Sequence, residues 1–419
     1  MMKYAITLRI SVLAIVLTSQ QALAVDPGAD APPSLKTLVD TSVICRFSDS
    51  VLPQNIPSFV NELVSTNQAQ LRHTFTTAFH GFSAQMPPEA ANRMAAQDPN
   101  IDYCVTNVLI KAGGQPTQAG KGQGQGSGRV YDPVPQIVPP GIQRVGGPID
   151  GTGLNVWVID SGVDLDNPDL NVDPSRGFDA VKDNGKPTVN DVYGHGTHVS
   201  GILAAIDNDI DVVGVAAGAT IIPVRILKAS DYGAADDAIA GIDWVAAHAK
   251  PGEVANMSAW WWRHYQPFHE AAYNLANVIP FIVISGNDGL DLNGDPAEPA
   301  HVENPNLITV SAVDHSDVFA WFSNYGYAGD WSICGIDRPG ASTPPEYFDC
   351  ATVDYAAPGV DVISLQPDGS LASWWGTSMA APHVAGMILL LSNQRIPSLN
   401  SDGYAIGDPD SSSDPIIHR

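Results

Sequence analysis

Beyond residue 136 the chain alternates short apolar runs with segments of helical periodicity, and this alternation restricts the fold more than any other feature of the sequence. The runs "LNVWVID", "TIIPVRIL" and "PFIVISGN" have the length and composition of buried strands. Before the last of them, "AADDAIAGIDWVAAHA" carries apolar residues at helical spacing. Buried strands separated by helices form parallel sheets with helices on both faces. Residues 136–394 are therefore predicted to form an α/β domain with a mostly parallel sheet.

A smaller unit is predicted at residues 41–112. "TSVICRF" and "DYCVTNVLIK" are typical of strands, "LRHTFTTAFHGFSAQM" of a hairpin, and "IPSFVNELVSTNQ" and "PPEAANRMAAQ" of helices. The resulting βαββαβ order is that of a ferredoxin-like α+β domain. In that arrangement the first and last strands pair antiparallel, which would place Cys45 beside Cys104.

The remaining segments are predicted to lie outside the two folded units. Residues 1–24 have basic residues, a short apolar run and an Ala-Leu-Ala ending, so we expect a signal peptide and a secreted protein, extracellular or periplasmic. The apolar run is too short to span a membrane. Residues 25–40 are predicted to be a leader, residues 113–135 a Gly/Gln-rich linker, and residues 395–419 an extended acidic tail.

The chain has four cysteines, and export favours their pairing in disulfides. Cys45 and Cys104 lie early in the chain, whereas Cys334 and Cys350 lie late. The simplest connectivity joins each local pair. No Cys-x-x-Cys pair is present, so the spacing does not indicate zinc.

The formal net charge of −25 limits the partners of the protein. Nucleic-acid binding needs a basic surface, which this composition does not provide. We interpret the acidic excess as a well-solvated exported surface.

Three chemically distinctive residues fall where parallel sheets carry their active sites, at the carboxyl ends of strands. Asp160 ends "VWVID", Asn287 ends "FIVISGN", and His195 begins the helical segment "HGTHVSGILAAI". Ser378 begins another helix within "GTSMAAPHVAG". Acyl transfer by a serine needs a base, a group that orients the base and donors for the oxyanion. Asp160, His195 and Ser378 supply the orienting group, the base and the nucleophile in the chain order Asp…His…Ser. This order and the absence of a Gly-x-Ser-x-Gly elbow around Ser378 exclude an α/β-hydrolase esterase.

Four segments carry a family resemblance. "VIDSGVDLDNPDL", "HGTHVSG", "ISGNDG" and "GTSMAAPHVAG" resemble, in order, the signature blocks of subtilisin-like serine proteases. "AFHGFSA", within residues 41–112, resembles the inhibitory propeptide of that family. The resemblance implies a secreted serine endopeptidase that acts through an acyl-enzyme and is matured by cleavage within 113–135. It also implies that Asn287 and the Ser378 N–H form the oxyanion hole.

The same resemblance implies a substrate-binding rim, and here the chain departs from the family. The rim would comprise Ser258, Ala259, Trp260 and Gly286. Where the family usually has Ser-Leu-Gly-Gly, this chain has Ser-Ala-Trp-Trp. Two interpretations stay open: Trp260 narrows the specificity pocket, or it packs against the inserted loop that contains Cys334 and Cys350.

A structural calcium site is also implied by the resemblance. Its ligands would be the side-chain oxygens of Gln136, Asp169 and Asn208 and the carbonyls of Ile206, Ile210 and Val212. An all-oxygen shell suits calcium. The alternative is that "DNDID" is only a solvated acidic loop.

Two function classes follow. The first is a secreted, zymogen-derived serine endopeptidase, expected to be a monomer that acts on polypeptides and is inhibited by its own propeptide. The alternative is a degenerate protease fold that acts as a secreted binding protein. His198 is expected to be structural, and His301 and His315 are expected at the surface.

Overall fold

The computed structural model of the protein describes residues 28–117, 131, 133–182, 187–293, 296–326, 353–410 and 412–419. The described helices are α1 (Pro33–Asp40), α2 (Ile56–Thr66), α3 (Pro88–Gln97), α4 (Pro140–Arg144), α5 (His195–Ala204), α6 (Ala235–His248), α7 (Gln266–Ala276) and α8 (Thr377–Ser392). The predicted signal peptide and the Cys334–Cys350 pair lie outside the described residues, and that disulfide stays a prediction. Within the described part of the chain, no helix has the length and apolarity needed to cross a membrane.

The amino-terminal unit has the βαββαβ order read from the sequence. Its strands are β1 (Ser42–Phe47), β2 (Gln70–Phe75), β3 (Gly81–Gln85) and β4 (Ile101–Thr106), and they form a sheet in the order β2-β3-β1-β4. Strands β1 and β4 pair antiparallel with Cys45 opposite Cys104. The two cysteines form a disulfide, as predicted.

Part of the segment predicted to be a leader outside the folded units, residues 25–40, is helical and packs against the rest of the protein. Residues 33–40 form helix α1, whose Leu35 and Val39 are buried one turn apart. They belong to an apolar cluster that also contains Leu109 and Tyr232. Leu35 and Val39 alone are too few apolar residues to indicate a helix in the sequence, because prolines and acidic residues surround them.

The larger unit contains a mostly parallel sheet, as predicted. Its strands include β8 (Asn155–Asp160), β10 (Phe178–Asp179), β12 (Thr220–Arg225), β14 (Val254–Met257), β16 (Phe281–Ile284), β17 (Leu307–Val313) and β18 (Tyr355–Pro358). The order β10-β12-β8-β14-β16-β17-β18 is parallel throughout. Other short strands of this region are β7 (Ile149–Asp150), β9 (Asn171–Val172), β11 (Ala216–Ala217) and β19 (Val362–Leu365).

Helices cover both faces of this sheet. On strand β8, Val156 and Val158 belong to a buried cluster with α5 and α8, whereas Trp157 and Ile159 belong to a second cluster with α6 and α7. Successive side chains of a strand point to opposite faces, so a strand buried on both sides is apolar throughout. This explains why "NVWVI" is a continuous apolar run.

The predicted acidic tail, residues 395–419, does not extend away from the protein. It forms β21 (Asn400–Tyr404) and β22 (Pro415–His418), which pair antiparallel, and β22 adds to the edge of the main sheet beside β18. Ile416 and Ile417 are fully buried. The Asp/Ser/Pro composition concealed this short apolar strand.

The predicted last strand of the small unit, "DYCVTNVLIK", is divided into β4 and a second strand, and this second strand and the start of the predicted linker pair with the larger unit. Strand β5 (Leu109–Ala112) lies between β13 (Tyr232–Ala234) and β15 (Ala259–Trp260), antiparallel to both. Strand β6 (Gln115–Pro116) then pairs with β20 (Leu371–Trp375). The chain therefore passes continuously across the carboxyl edge of the sheet, with residues 113 and 114 between the two pairings.

Candidate active site

Asp160 and His195 form a buried acid–base pair. Asp160 is the last residue of β8, and His195 is the first residue of α5. The imidazole Nδ1 lies 2.8 Å from one carboxylate oxygen and 2.9 Å from the other, and both residues are fully buried. A carboxylate at Nδ1 fixes the tautomer whose Nε2 is free to accept a proton.

A second carboxylate fixes the first turn of the histidine helix. The buried Asp191 accepts hydrogen bonds from the backbone N–H groups of Tyr193, Gly194 and Thr197. It also accepts one from the Ser161 hydroxyl at 2.9 Å, and Ser161 directly follows Asp160. These bonds tie the end of β8 to the start of α5. Desolvation raises the pKa of Asp191, while its hydrogen bonds act in the opposite direction.

Ser378 lies in the first turn of α8, after Gly376. Its hydroxyl donates to the Ser258 carbonyl oxygen at 3.1 Å. Gly376 has a φ of 144°, and a Cβ there would collide with the carbonyl oxygen of Gly113. Only glycine therefore lets the 113–114 backbone approach the helix N-terminus.

Asn287 and Gly113 meet beside this serine. The Asn287 side-chain amide donates to the Gly113 carbonyl oxygen. The Asn287 Oδ1 atom accepts the Thr377 N–H and hydroxyl, each at 2.8 Å, which orients the amide group. A donor aimed at an acyl oxygen beside a serine hydroxyl is the geometry that stabilises an oxyanion.

Comparison with known proteins agrees with this geometry. Residues 151–404 match the family model described as the subtilase family, more than half of the chain. The chain belongs to the subtilase family. It is 35% identical over 341 residues to M-protease of Shouchella clausii (strain KSM-K16), a match that covers 79% of this chain and 73% of that protein. It is also 35% identical over 273 residues to Subtilisin Savinase of Lederbergia lenta, covering 63% and 87%.

A solved structure supports the same assignment. The crystal structure of a cold-adapted subtilisin-like serine proteinase matches with a TM-score of 0.52 and 27% identity, over 67% of this chain and 97% of that one. The subtilisin-like α/β fold and the assignment as a serine endopeptidase predicted from the sequence are therefore confirmed.

In this subtilase the residues predicted to form the substrate rim border the 109–113 segment. The Gly113 N–H donates to the Ser258 carbonyl at 3.0 Å. Ala259 pairs with Ala112, and Trp260 with Lys111. Gly286 adopts a φ of 107°, and the Trp260 Nε1 atom lies 3.3 Å from where a Cβ at Gly286 would stand.

Three predicted side-chain ligands for calcium are brought together at another edge of the subtilase domain. Gln136 Oε1 accepts the Asn208 N–H at 2.7 Å, and the Asn208 side-chain amide donates to Asp169 Oδ1 at 2.7 Å. The Val212 N–H donates to the other Asp169 oxygen at 3.3 Å. Burial raises the pKa of the Asp169 carboxyl to about 6.

Among the histidines outside the pair, His198 and His301 are both buried. His198 Nε2 lies 3.1 Å from the Ala372 carbonyl, and burial lowers its pKa to about 3, in agreement with a structural role. The expectation that His301 lies at the surface is wrong, since only 4% of it is exposed.

Four contributors to this site were not predicted from the sequence. Asp191 and Thr377 position the residues that were recognised, and their only sequence signal was proximity to the His and Ser blocks. Gly113 and Gly114 were assigned to a flexible linker because glycine carries no side-chain signal for an ordered backbone.

Proposed function

We propose that this subtilase is a secreted endopeptidase in which Asp160, His195 and Ser378 form the catalytic triad. The observation that carries the proposal is the position of Gly113. Its carbonyl oxygen accepts a hydrogen bond from Asn287, and Gly113 itself lies against the Ser378 hydroxyl. This position supports the proposal that a substrate carbonyl binds between Asn287 and Ser378. The binding-protein alternative has no comparable observation in its favour.

Each triad residue would have a separate role in peptide hydrolysis. Ser378 Oγ attacks the substrate carbonyl carbon, and His195 Nε2 accepts the hydroxyl proton and returns it to the leaving amine. Asp160 keeps Nδ1 protonated and stabilises the imidazolium. Asn287 Nδ2 and the Ser378 N–H stabilise the oxyanion, aided by the positive end of the α8 dipole.

The test is digestion of a proteome-derived peptide library with the purified mature protein, followed by sequencing of the products. We expect internal cleavage of polypeptides that is abolished by a serine-directed fluorophosphonate. If no peptide in the library is cleaved, the result would favour the binding-protein alternative. The signal peptide, and with it secretion, is tested by the amino terminus of the exported protein.

We further propose that residues 41–112 act as an inhibitory propeptide. The guanidinium of Arg72 lies 2.5 Å from an Asp236 oxygen and 2.8 Å from an Asp237 oxygen, at the start of α6. The Asp243 carboxylate accepts the N–H groups of Thr77 and Ala78, both at 2.7 Å. Strand β5 then fills the substrate groove in product-like fashion, which supports occlusion of the cleft by β-strand addition.

A separate 41–112 peptide is therefore expected to inhibit the mature enzyme, and Arg72→Gln to weaken that inhibition. Removing one partner of a buried charge pair costs about 2 kcal/mol or more, so the inhibition constant should rise about 30-fold or more. Arg93→Gln, on the exposed side of α3, is the matched control. Equal inhibition by the two variants would contradict this interface.

We also propose that Gln136, Asp169 and Asn208 hold a structural calcium ion with the carbonyls of Ile206, Ile210 and Val212. These oxygen ligands suit calcium, because the Asp169 carboxylate is fully buried and its described partners are amide groups rather than a cation. A buried carboxylate is stabilised by a paired charge. The Asn208 amide would have to turn to present its oxygen.

Chelation with EDTA is expected to shorten the active half-life on heating, and added calcium should restore it. Binding to the folded state alone stabilises by about 4 kcal/mol when free calcium is a thousand times Kd. Because the pKa of Asp169 is raised to about 6, the protonated carboxyl stabilises the metal-free folded state, fully so below about pH 4. This stabilisation is lost as the pH rises through about 6. Calcium binds the ionised form, so its stabilising effect should grow over the same interval.

Asp169→Ala should behave as the chelated enzyme and gain nothing from calcium, whereas Asp166→Ala, an exposed change in the same loop, should respond as the wild type. An inactivation rate that EDTA leaves unchanged would show that this site is wrong.

A further inference from the structure

The peptide bond between Gly113 and Gly114 lies at the reactive groups. We infer that it is the bond this enzyme cuts in its own precursor, and that the enzyme selects glycine immediately before the scissile bond. The inference rests on the proposed function and adds its substrate class. Residues 109–112 pair with both walls of the cleft, and the Gly113 carbonyl accepts from Asn287. Residues 115–116 continue along β20, so the bond lies between two anchored strands.

Neither residue of this bond has room for a side chain. A Cβ on Gly113 would clash with Ile284 Cδ1 and Ser378 Oγ, because it would lie much closer to both than van der Waals contact allows. A Cβ on Gly114 would lie 2.8 Å from His195 Nε2 and 2.9 Å from Met379 Cε. Real Cβ atoms do not approach heavy atoms so closely, so a larger residue must displace the catalytic groups or the wall.

Trp260 belongs to the same buried wall as Ile284. Its indole is 3% exposed and belongs to the same buried cluster as Ile284. The indole nitrogen lies 3.3 Å from the position that a Cβ on Gly286 would take. Because Ile284 and Trp260 pack in one buried cluster, we expect a shift of Ile284 to disturb the packing of Trp260. This supports the first of the two interpretations of Trp260, that it narrows the pocket.

The self-cleavage step balances without any co-reactant except water. Ser378 Oγ bonds to the Gly113 carbonyl carbon while its proton passes to His195 Nε2. The bond from that carbon to the Gly114 nitrogen breaks, and the departing amine takes the proton. Water then hydrolyses the ester, which leaves the Gly113 carboxylate and regenerates the serine hydroxyl.

Two measurements test the inference. Mass spectrometry of the precursor early in processing should give an amino-terminal fragment that ends at Gly113. A peptide series varied only before the scissile bond should give the highest kcat/KM for glycine, about 10- to 200-fold lower for alanine, and lower again for phenylalanine. Trp260→Gly should raise kcat/KM for alanine and phenylalanine. Trp321→Ala, which removes an indole that is 83% exposed, should leave the ranking unchanged.

The outcomes distinguish loss of glycine selection from loss of the endopeptidase function. Failure to cleave any peptide would refute the proposed endopeptidase function itself. Cleavage in which phenylalanine equals or exceeds glycine, or a first fragment that ends at another residue, would overturn glycine selection while leaving the endopeptidase intact. The wild-type series decides this even if Trp260→Gly does not fold.

A separate observation concerns a largely buried His/Glu cluster outside the proposed triad. Ligand atoms of His264, His269, Glu298 and His301 all lie within 4.8 Å of one another. Glu298 is fully buried, and its Oε1 atom lies 2.8 Å from His264 Nδ1 and 3.1 Å from His269 Nδ1. Among the described residues, its buried Oε2 atom has no hydrogen-bond partner.

We propose that this cluster binds a zinc ion. A fully buried carboxylate needs a positive partner, and the ion pairs described for Glu298 involve only imidazoles. Three imidazoles and one carboxylate form a four-ligand donor set that zinc prefers and calcium does not. Trp261 exchanges backbone hydrogen bonds with Glu298 at 2.8 and 2.9 Å. The ion would therefore fix the strand that carries the neighbouring Trp260.

Metal analysis of the purified protein tests this site without an activity assay. We expect about one zinc per chain, lost in Glu298→Gln and His269→Asn but retained in His315→Asn, a change at an exposed histidine. Cobalt added to the metal-free protein should give the visible absorption of a tetrahedral site. Absence of zinc together with no cobalt spectrum would overturn the proposal and leave a hydrogen-bonded histidine–carboxylate network.

Discussion

Ser378→Ala is expected to abolish peptide hydrolysis and to accumulate as the uncut precursor. The hydroxyl is the proposed nucleophile, and loss of a triad serine in a subtilisin lowers turnover by about a million-fold. The substitution removes one oxygen from the first turn of α8, so the fold should persist. Turnover of a glycine-containing peptide and the mass of the exported chain measure the two effects.

Ser392→Ala provides the matched control, because Ser392 ends the same helix and is exposed. It should process itself and hydrolyse peptides as the wild type does. Normal activity in Ser378→Ala would refute the triad, whereas inactive but correctly processed Ser378→Ala would show that another protease cuts the precursor.

Asp160→Asn is expected to lower kcat on the order of 10⁴-fold with the fold retained. The carboxylate contacts His195 Nδ1 through both oxygens, and an amide of the same shape no longer holds the imidazole in the reactive tautomer. Steady-state kinetics on the same peptide checks this, with Asp166→Asn at an exposed position of the following loop as the control. A loss of less than tenfold would contradict the role of Asp160.

The parts of the fold that could be predicted are those whose signal is local. Strand β8 is buried on both faces and is therefore continuously apolar, so Asp160 at its end could be placed at the carboxyl edge of a sheet. His195 and Ser378 followed from helix starts and chain order. Cys45 and Cys104 followed from the βαββαβ order, because that topology pairs the first and last strands.

The parts that could not be predicted depend on contacts made by the backbone or by distant residues. The order of Gly113 and Gly114 comes from hydrogen bonds to Ser258 and Asn287, which composition does not encode. The burial of His301 depends on its approach to Glu298 and His269 in space. The strand at 415–418 has too few apolar residues to stand out from its acidic surroundings.

The most direct measurement for the central claim is covalent labelling with a fluorophosphonate, followed by peptide mapping. We expect one adduct per processed chain, on Ser378. We expect no adduct in Ser378→Ala and strongly slowed labelling in His195→Ala, since the imidazole activates the hydroxyl. An adduct on a different serine, or equal labelling of Ser378 in the wild type and His195→Ala, would contradict the assignment of Asp160, His195 and Ser378 as the catalytic triad.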